Sequence, residues 1–244
     1  MENEVFSPES SSGDSAWPLV QQWLGSARHS VEVLEGNRES GEALLRRFGI
    51  TSRSPMGAVA LETGGILFDH GWLRFLGSGA ERMHGNLLNW NMSGDDQPLL
   101  ADALLVAHDV MGGFFAINGG VFPGKRGDIF YMSPDTLQWE ALDLSYSELL
   151  HWGATGDLAA FYDSMRWPGW EAEVSQLSGD QGISVYPFLW ANAEIPLAER
   201  SRRVVPLTEL WRMQCEIAAQ IENLPDGATV HIQVTAGLVE GKER

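Results

Sequence analysis

A single cysteine, Cys215, in 244 residues leaves nothing for an intramolecular disulfide and no cysteine pair for a zinc site. Such a chain suits a reducing compartment and is expected in the cytoplasm. No apolar run reaches the ~18 residues a membrane span needs, and the opening Met-Glu-Asn-Glu-Val-Phe-Ser offers neither a basic leader nor an apolar stretch for secretion. Positive charge is scarce as well: 16 Lys and Arg against 33 Asp and Glu give a formal charge of -17. That balance repels phosphate backbones and anionic lipid, so neither nucleic acid nor a membrane is an expected partner. A basic protein is the partner such a field would steer inward, although solubility alone also accounts for the charge. Phosphate loops are missing too, since no Gly-Lys-Ser/Thr follows Gly64-Gly65, Gly112-Gly113 or Gly119-Gly120, which read as turns and bulges. Ser52, Ser54 and Ser78 stand in no nucleophile-elbow context. Nothing in the chain calls for a cofactor.

What is present is enough apolar material for a substantial core, with 44% hydrophobic residues and ten tryptophans. From Leu104 to Leu142, short β-prone runs alternate with glycine pairs and Pro-Asp, the pattern of neighbouring antiparallel strands. Strands are expected at 103–107, 114–117, 129–132 and 138–141, with Trp72 to Leu76 continuing the sheet. Ala58 to Leu61 and Ile66 to Phe68 read as further strands joined through Thr63-Gly64-Gly65. Residues 77–98 read as a long surface loop. Helices are expected from Ser15 or Asp14, from Glu39 to Phe48, from the Ser145/Glu148 capping box, from Asp157 to before Pro168, over Trp170 to Leu177, and from Pro206 to Asn223. Pro187-Phe-Leu-Trp190 reads as a buried apolar segment. The expected fold is α+β, a mainly antiparallel curved sheet packed by helices. Residues 1–14 are expected to form an acidic mobile tail, 15–235 one domain and 236–244 a loose tail. The domain comprises a core over about 15–153, a helical extension over about 154–224 and a final strand over about 229–235. A boundary near Gly153 to Gly156 would instead give two domains.

Gly112-Gly113-Phe114-Phe115-Ala116, Asp128-Ile-Phe-Tyr131 and Tyr146-Ser-Glu-Leu-Leu150 together resemble the SUKH superfamily over roughly residues 15–153. That resemblance implies helices on a curved antiparallel sheet, and a role in protein binding, either toxin immunity or scaffolding. It brings no catalytic residue. The Asp-His-Gly-Trp72 segment and Ala-Trp17-Pro-Leu also look like a bacterial family classed only as a domain of unknown function, from about Trp17 to Trp211.

Two Asp-His pairings invite an enzyme reading, Asp69-His70 at one strand end and His108-Asp109 at another. Converged, they would serve a metal-dependent enzyme or hydrolase as ligands or as a base and its orienter. Adjacent strand residues face opposite ways, however, so only one of each pair can reach a shared site. Partner-binding candidates are Trp90, Asp95 and Asp96 in the long loop, beside Arg82 and Asn91, and Trp167 and Trp170 in Trp-Pro-Gly-Trp. Tryptophan dominates many interfaces, but inward packing at a helix corner is the simpler role for Trp167 and Trp170. The basic run Glu199-Arg-Ser-Arg-Arg203 is expected to pair with nearby carboxylates. The first expectation is therefore a non-catalytic module capturing a basic protein. A self-associating protein, such as a homodimer joined through its C-terminal third, is a further alternative.

Overall fold

Seven strands follow one another across a single sheet in the order in which they occur along the chain. They are β1 (Val31–Glu35), β2 (Thr63–Phe68), β3 (Leu73–Leu76), β4 (Ala103–Asp109), β5 (Phe114–Asn118), β6 (Asp128–Met132) and β7 (Trp139–Ser145). Every neighbouring pair is antiparallel. This α+β architecture comes from a computed structural model that describes residues 15–95, 97–191 and 193–222. The expected tails at 1–14 and 236–244 and the final strand at 229–235 lie outside the described residues.

Four helices pack among themselves and onto the sheet: α1 (Trp17–Gly25), α2 (Arg38–Phe48), α3 (Pro55–Glu62) and α4 (Tyr146–Thr155). Gly153 of α4 is small enough to lie against the rings of Phe68 and Phe75. Asn37 caps α2 through Ser40 N–H, and Gly49 closes it in a left-handed conformation. On α4, the Ser145 hydroxyl accepts from Glu148 N–H while the Glu148 carboxylate accepts from Ser145 N–H, completing the capping box. At α1 the cap position is Ala16, with no side-chain bond, while Ser15 accepts from Trp17 N–H.

Ala58 to Leu61, expected as a strand, belongs to α3. Ser54 accepts from Gly57 N–H at 3.1 Å and Pro55 occupies the first turn, so the helix-start signals outweigh a short apolar run. Thr63-Gly64-Gly65 is the beginning of β2 and not a hairpin. A Cβ on Gly65 would lie 2.1 Å from Met83 Cε and 2.9 Å from the Phe75 carbonyl, so the glycine admits close neighbours. Strand β1 escapes the sequence pattern because its short run exposes Glu32, Val33 and Glu35 alike. Residues 77–98 are no mere surface loop: Met83, Leu87 and Trp90 are buried, and Asn91 bonds Leu87 and Leu105, pinning the segment to β4. Covered on both faces, β2 and β3 bury every residue, Arg74 included.

The C-terminal third is not purely helical. It contains α5 (Leu158–Phe161), a 3-10 turn (Asp163–Met165), α6 (Trp170–Val174), a two-stranded ribbon of β8 (Gln181–Tyr186) and β9 (Ser201–Pro206), and α7 (Leu207–Glu222). Ile183, Val185 and Val205 turn inward, a short alternation masked by the arginines of β9. The ribbon joins the main sheet where Ile183 N–H donates to the Val110 carbonyl, and Arg74 donates to the carbonyls of Gly179 and Gln181. One core runs from Val20 to Leu210 and includes residues of both the sheet and this third. Pro187 to Trp190 lies half-buried over the ribbon, with Phe188 stacked on Trp190.

Candidate functional site

The β3–β4 register sets the fate of the Asp-His residues: Leu73 faces Asp109, and Arg74 faces His108. Asp109 and His108 therefore turn to opposite sides. Asp109 is fully buried at the tight turn into β5, where it accepts from Met111 N–H, Gly113 N–H and the Tyr131 hydroxyl. Desolvation raises its pKa above the usual value, and the three donors and Arg74 oppose that rise. Burial drives the Tyr131 hydroxyl far up, as does the charge of Asp109. Gly113 makes this arrangement possible, because a Cβ there would sit 2.0 Å from Asp109 Oδ2 and 2.3 Å from the Tyr131 hydroxyl.

His108 is 1% exposed, packed against the rings of Trp90 and Phe114. Neither ring nitrogen has a hydrogen-bond partner among the described residues. Desolvation, then the charge of Arg74, holds its pKa well below 6.5, so it is a neutral core residue. Asp69, His70 and Gly71 all take positive φ in the β2–β3 turn. Ser30 holds this unusual turn by accepting from both the Asp69 and His70 amides. Asp69 accepts from Arg166 at 2.6 Å, and that guanidinium lies against the rings of Trp72, Tyr162 and Trp170. His70 is exposed, its ring edge-on to Trp170. The four residues thus do not converge on one site, although Trp170 lies against both His70 and the Arg166 that holds Asp69. No group of three His, Cys, Asp or Glu among the described residues is arranged to hold a metal.

The tryptophans considered as partner anchors are packed inward, with Trp90 5%, Trp167 3% and Trp170 9% exposed. They present little indole to a partner. Asp95 is exposed, and Asp96 lies outside the described residues. Arg82 is occupied by Glu32 and by the carbonyls of Ser175 and Leu177. Within the basic run, Arg202 pairs with Glu173 and lies over Trp167, while Arg200 donates to the carbonyls of Pro187, Phe188 and Ile195.

A surface feature that residue-by-residue reading missed is an apolar groove of about 480 Å³ between α7 and the β6–β7 turn. Leu100, Met132, Leu137 and Trp139 line one wall, and Trp211, Cys215, Ala218 and Ile221 the other. Trp139 and Trp211 are only half-buried. Two exposed carboxylates flank the groove without lining it. Exposed Glu140 accepts from Thr136 of the lining at 3.2 Å, and exposed Glu216 adjoins Cys215. Burial, then the Glu216 charge, pushes the Cys215 thiol up to about 11, which leaves it a poor nucleophile. The signal for this groove was in the sequence as a second apolar row on the last helix, at positions 211, 215, 218 and 221. Another groove of similar volume beside α2 has Arg47 and the polar Ser40, Ser78 and Asn86 in its lining, which suits a basic partner less. No helix among the described residues is long and apolar enough to cross a membrane.

Two bacterial proteins similar to this chain are described as uncharacterized. Putative uncharacterized protein YbfG of Escherichia coli (strain K12) is 42% identical over 206 residues, which cover 84% of this chain and 92% of that protein. An "Uncharacterized protein" of Haemophilus influenzae (strain ATCC 51907 / DSM 11121 / KW20 / Rd) is 40% identical over 207 residues, covering 83% and 88%. Residues 9–210 match the family described as "Protein of unknown function DUF2625", a match that ends in the first turn of α7 and covers the whole seven-stranded sheet. The chain belongs to that DUF2625 family.

Proposed function

We propose that this protein is a non-catalytic binding domain that captures a basic protein partner in the groove between α7 and the β6–β7 turn. The observation that carries this reading is an apolar groove with two half-buried tryptophans and exposed carboxylates, Glu140 and Glu216, close beside it, on a chain of charge -17. Trp139 and Trp211 are the indoles placed to act as anchors, since partly exposed tryptophans in a concave surface contribute heavily to binding. The surrounding negative charge raises the association rate, and the apolar contacts set the residence time. The SUKH-like motifs favour toxin immunity as the setting, with a basic toxin domain as the captured protein. The acidic surface also fits a cytoplasmic binding protein.

The test is a pull-down from native lysate at low and moderate salt, with the intact protein and an Ala218→Arg variant side by side. Ala218 is half-buried on the groove wall and packs against the edge of the core, so circular dichroism checks that the variant folds. One stoichiometric basic protein, retained by the intact chain at low salt and lost both at higher salt and in the variant, is the expected result. A partner held equally by both proteins would remove the groove from the account.

A further inference from the structure

We infer that the groove is shaped to receive an amphipathic α-helix, apolar along one face and rich in Lys or Arg along the other. The inference rests on the reading of the groove as the binding surface, and it specifies what enters. Helix α7 carries two apolar rows. The inner row, Leu207, Leu210 and Ile217, is buried, together with Gln214. The outer row is Trp211, Cys215, Ala218 and Ile221, with successive spacings of four, three and three residues. Those are the spacings by which one helix presents a seam to another. At a rise of 1.5 Å per residue the outer row extends for about 15 Å, or three turns of a partner helix.

The profile of the seam fits the same occupant. Small residues, Cys215 and Ala218, occupy its middle, while Trp211 and Ile221 stand at its ends. A helix can therefore approach the α7 backbone closely at the centre, near the short end of the 8–10 Å range of helix separations. Leu137 and Trp139 supply the opposite wall.

Two other occupants fit less well. An extended segment would add to the edge of β7, but Asp143 there has φ 54°, the β6–β7 register is broken, and Glu140 and Asp143 are exposed. A bulge and outward charges on an edge strand oppose such pairing. A second copy of this chain would bring the Glu140 and Glu216 rims together and add -17 to -17. Opposite charge on the polar face of the incoming helix removes the repulsion, and a helix needs no pairing with the bulged β7.

Cys215, the chain's single cysteine, gives the groove a unique though slow-reacting site for labelling. The experiment measures alkylation of Cys215 by a maleimide in the full chain, with three synthetic peptides of about four helical turns. The first has leucines at helical spacing and lysines opposite, the second has the same composition in strict Leu-Lys alternation, and the third replaces the lysines of the first with glutamates. At about ten times its Kd the first peptide should slow alkylation roughly tenfold, as simple occupancy requires. It should lose binding to Ala218→Arg, read by tryptophan fluorescence so that Cys215 chemistry is not the only signal. Equal protection by the alternating or the glutamate peptide would overturn the inference. So would a dimer, seen by light scattering and dispersed by Ala218→Arg, because the groove would then hold a second copy. A lysate partner lost in Ala218→Arg, with no protection by the first peptide, would overturn the helix while leaving the groove as the binding surface.

Discussion

At the scale of single residues, the buried polar groups beside β4 make sharp demands. Gly113→Ala puts a methyl group into the space held by Asp109 and the Tyr131 hydroxyl. Relief requires breaking a buried hydrogen bond or shifting a strand, so a loss of about 3 kcal/mol is expected in urea unfolding. An unchanged urea midpoint would contradict the crowding. His108 gives a pH signature whose sign follows from its surroundings. Its folded pKa lies well below 6.5, so below that pH the unfolded chain binds more protons, and stability falls as the solution is acidified. Above about pH 7 this contribution is flat. Asp109 acts oppositely, since its folded pKa lies above 3.8 and stability declines as pH rises from there through the raised value. Comparing His108→Phe with the parent isolates the histidine. The variant, which also removes two ring nitrogens lacking partners among the described residues, should lose less stability between about pH 6.5 and 5. Parallel stability curves in the two proteins would sink that assignment.

At the scale of elements, Arg166 and Asp69 add a buried ion pair to the connection between the sheet and the C-terminal third. Their side chains are 11% and 13% exposed, and three aromatic rings surround the guanidinium. Removing one partner strands the other, so Asp69→Ala should cost about 3 kcal/mol. Combining it with Arg166→Met should recover part of that loss, and strict additivity in chemical denaturation would show that the two residues are not coupled. Legibility varied among the elements for related reasons. Helix α4 could be read in full because Ser145 and Glu148 determine its start locally. Strands β4 to β6 could be read because their apolar runs end at tight turns. Helix α3 was mistaken for a strand since its buried apolar run has no polar face, leaving Ser54-Pro55 as the better signal. The ribbon β8–β9 was hidden because its strands are paired across a long connection and β9 is studded with arginine. The candidate site was read least well. The Asp-His pairs are adjacent in sequence, yet strand register and Ser30 disperse them, and the groove exists only once α7 lies beside the β6–β7 turn.

For the whole molecule, the net charge bears on folding and, on the proposed reading, on capture in opposite directions. Several cations are already paired, as with Arg38 to Glu42, Arg82 to Glu32, Lys125 to Asp128 and Arg202 to Glu173. With 33 acidic residues against 16 basic, the remaining carboxylates repel one another across the folded surface. Raising ionic strength from about 0.01 to 0.15 M shortens the screening length from about 30 to 8 Å, which weakens that long-range repulsion more than the close pairs. Sodium chloride should therefore stabilise the fold. A relief of about 1 kcal/mol corresponds to an increase of about 2–4 °C in Tm for a chain of this size, measurable by calorimetry. The same addition should slow association with a basic helix, because screening removes the attraction that steers it to the groove. Stopped-flow fluorescence from Trp139 and Trp211 would follow that rate, since both indoles line the groove. A higher Tm together with slower capture is the joint result expected of an acidic binding domain. A Tm that fell with salt would mean that the close ion pairs outweigh the repulsion, and an association rate indifferent to salt would remove steering from the mechanism.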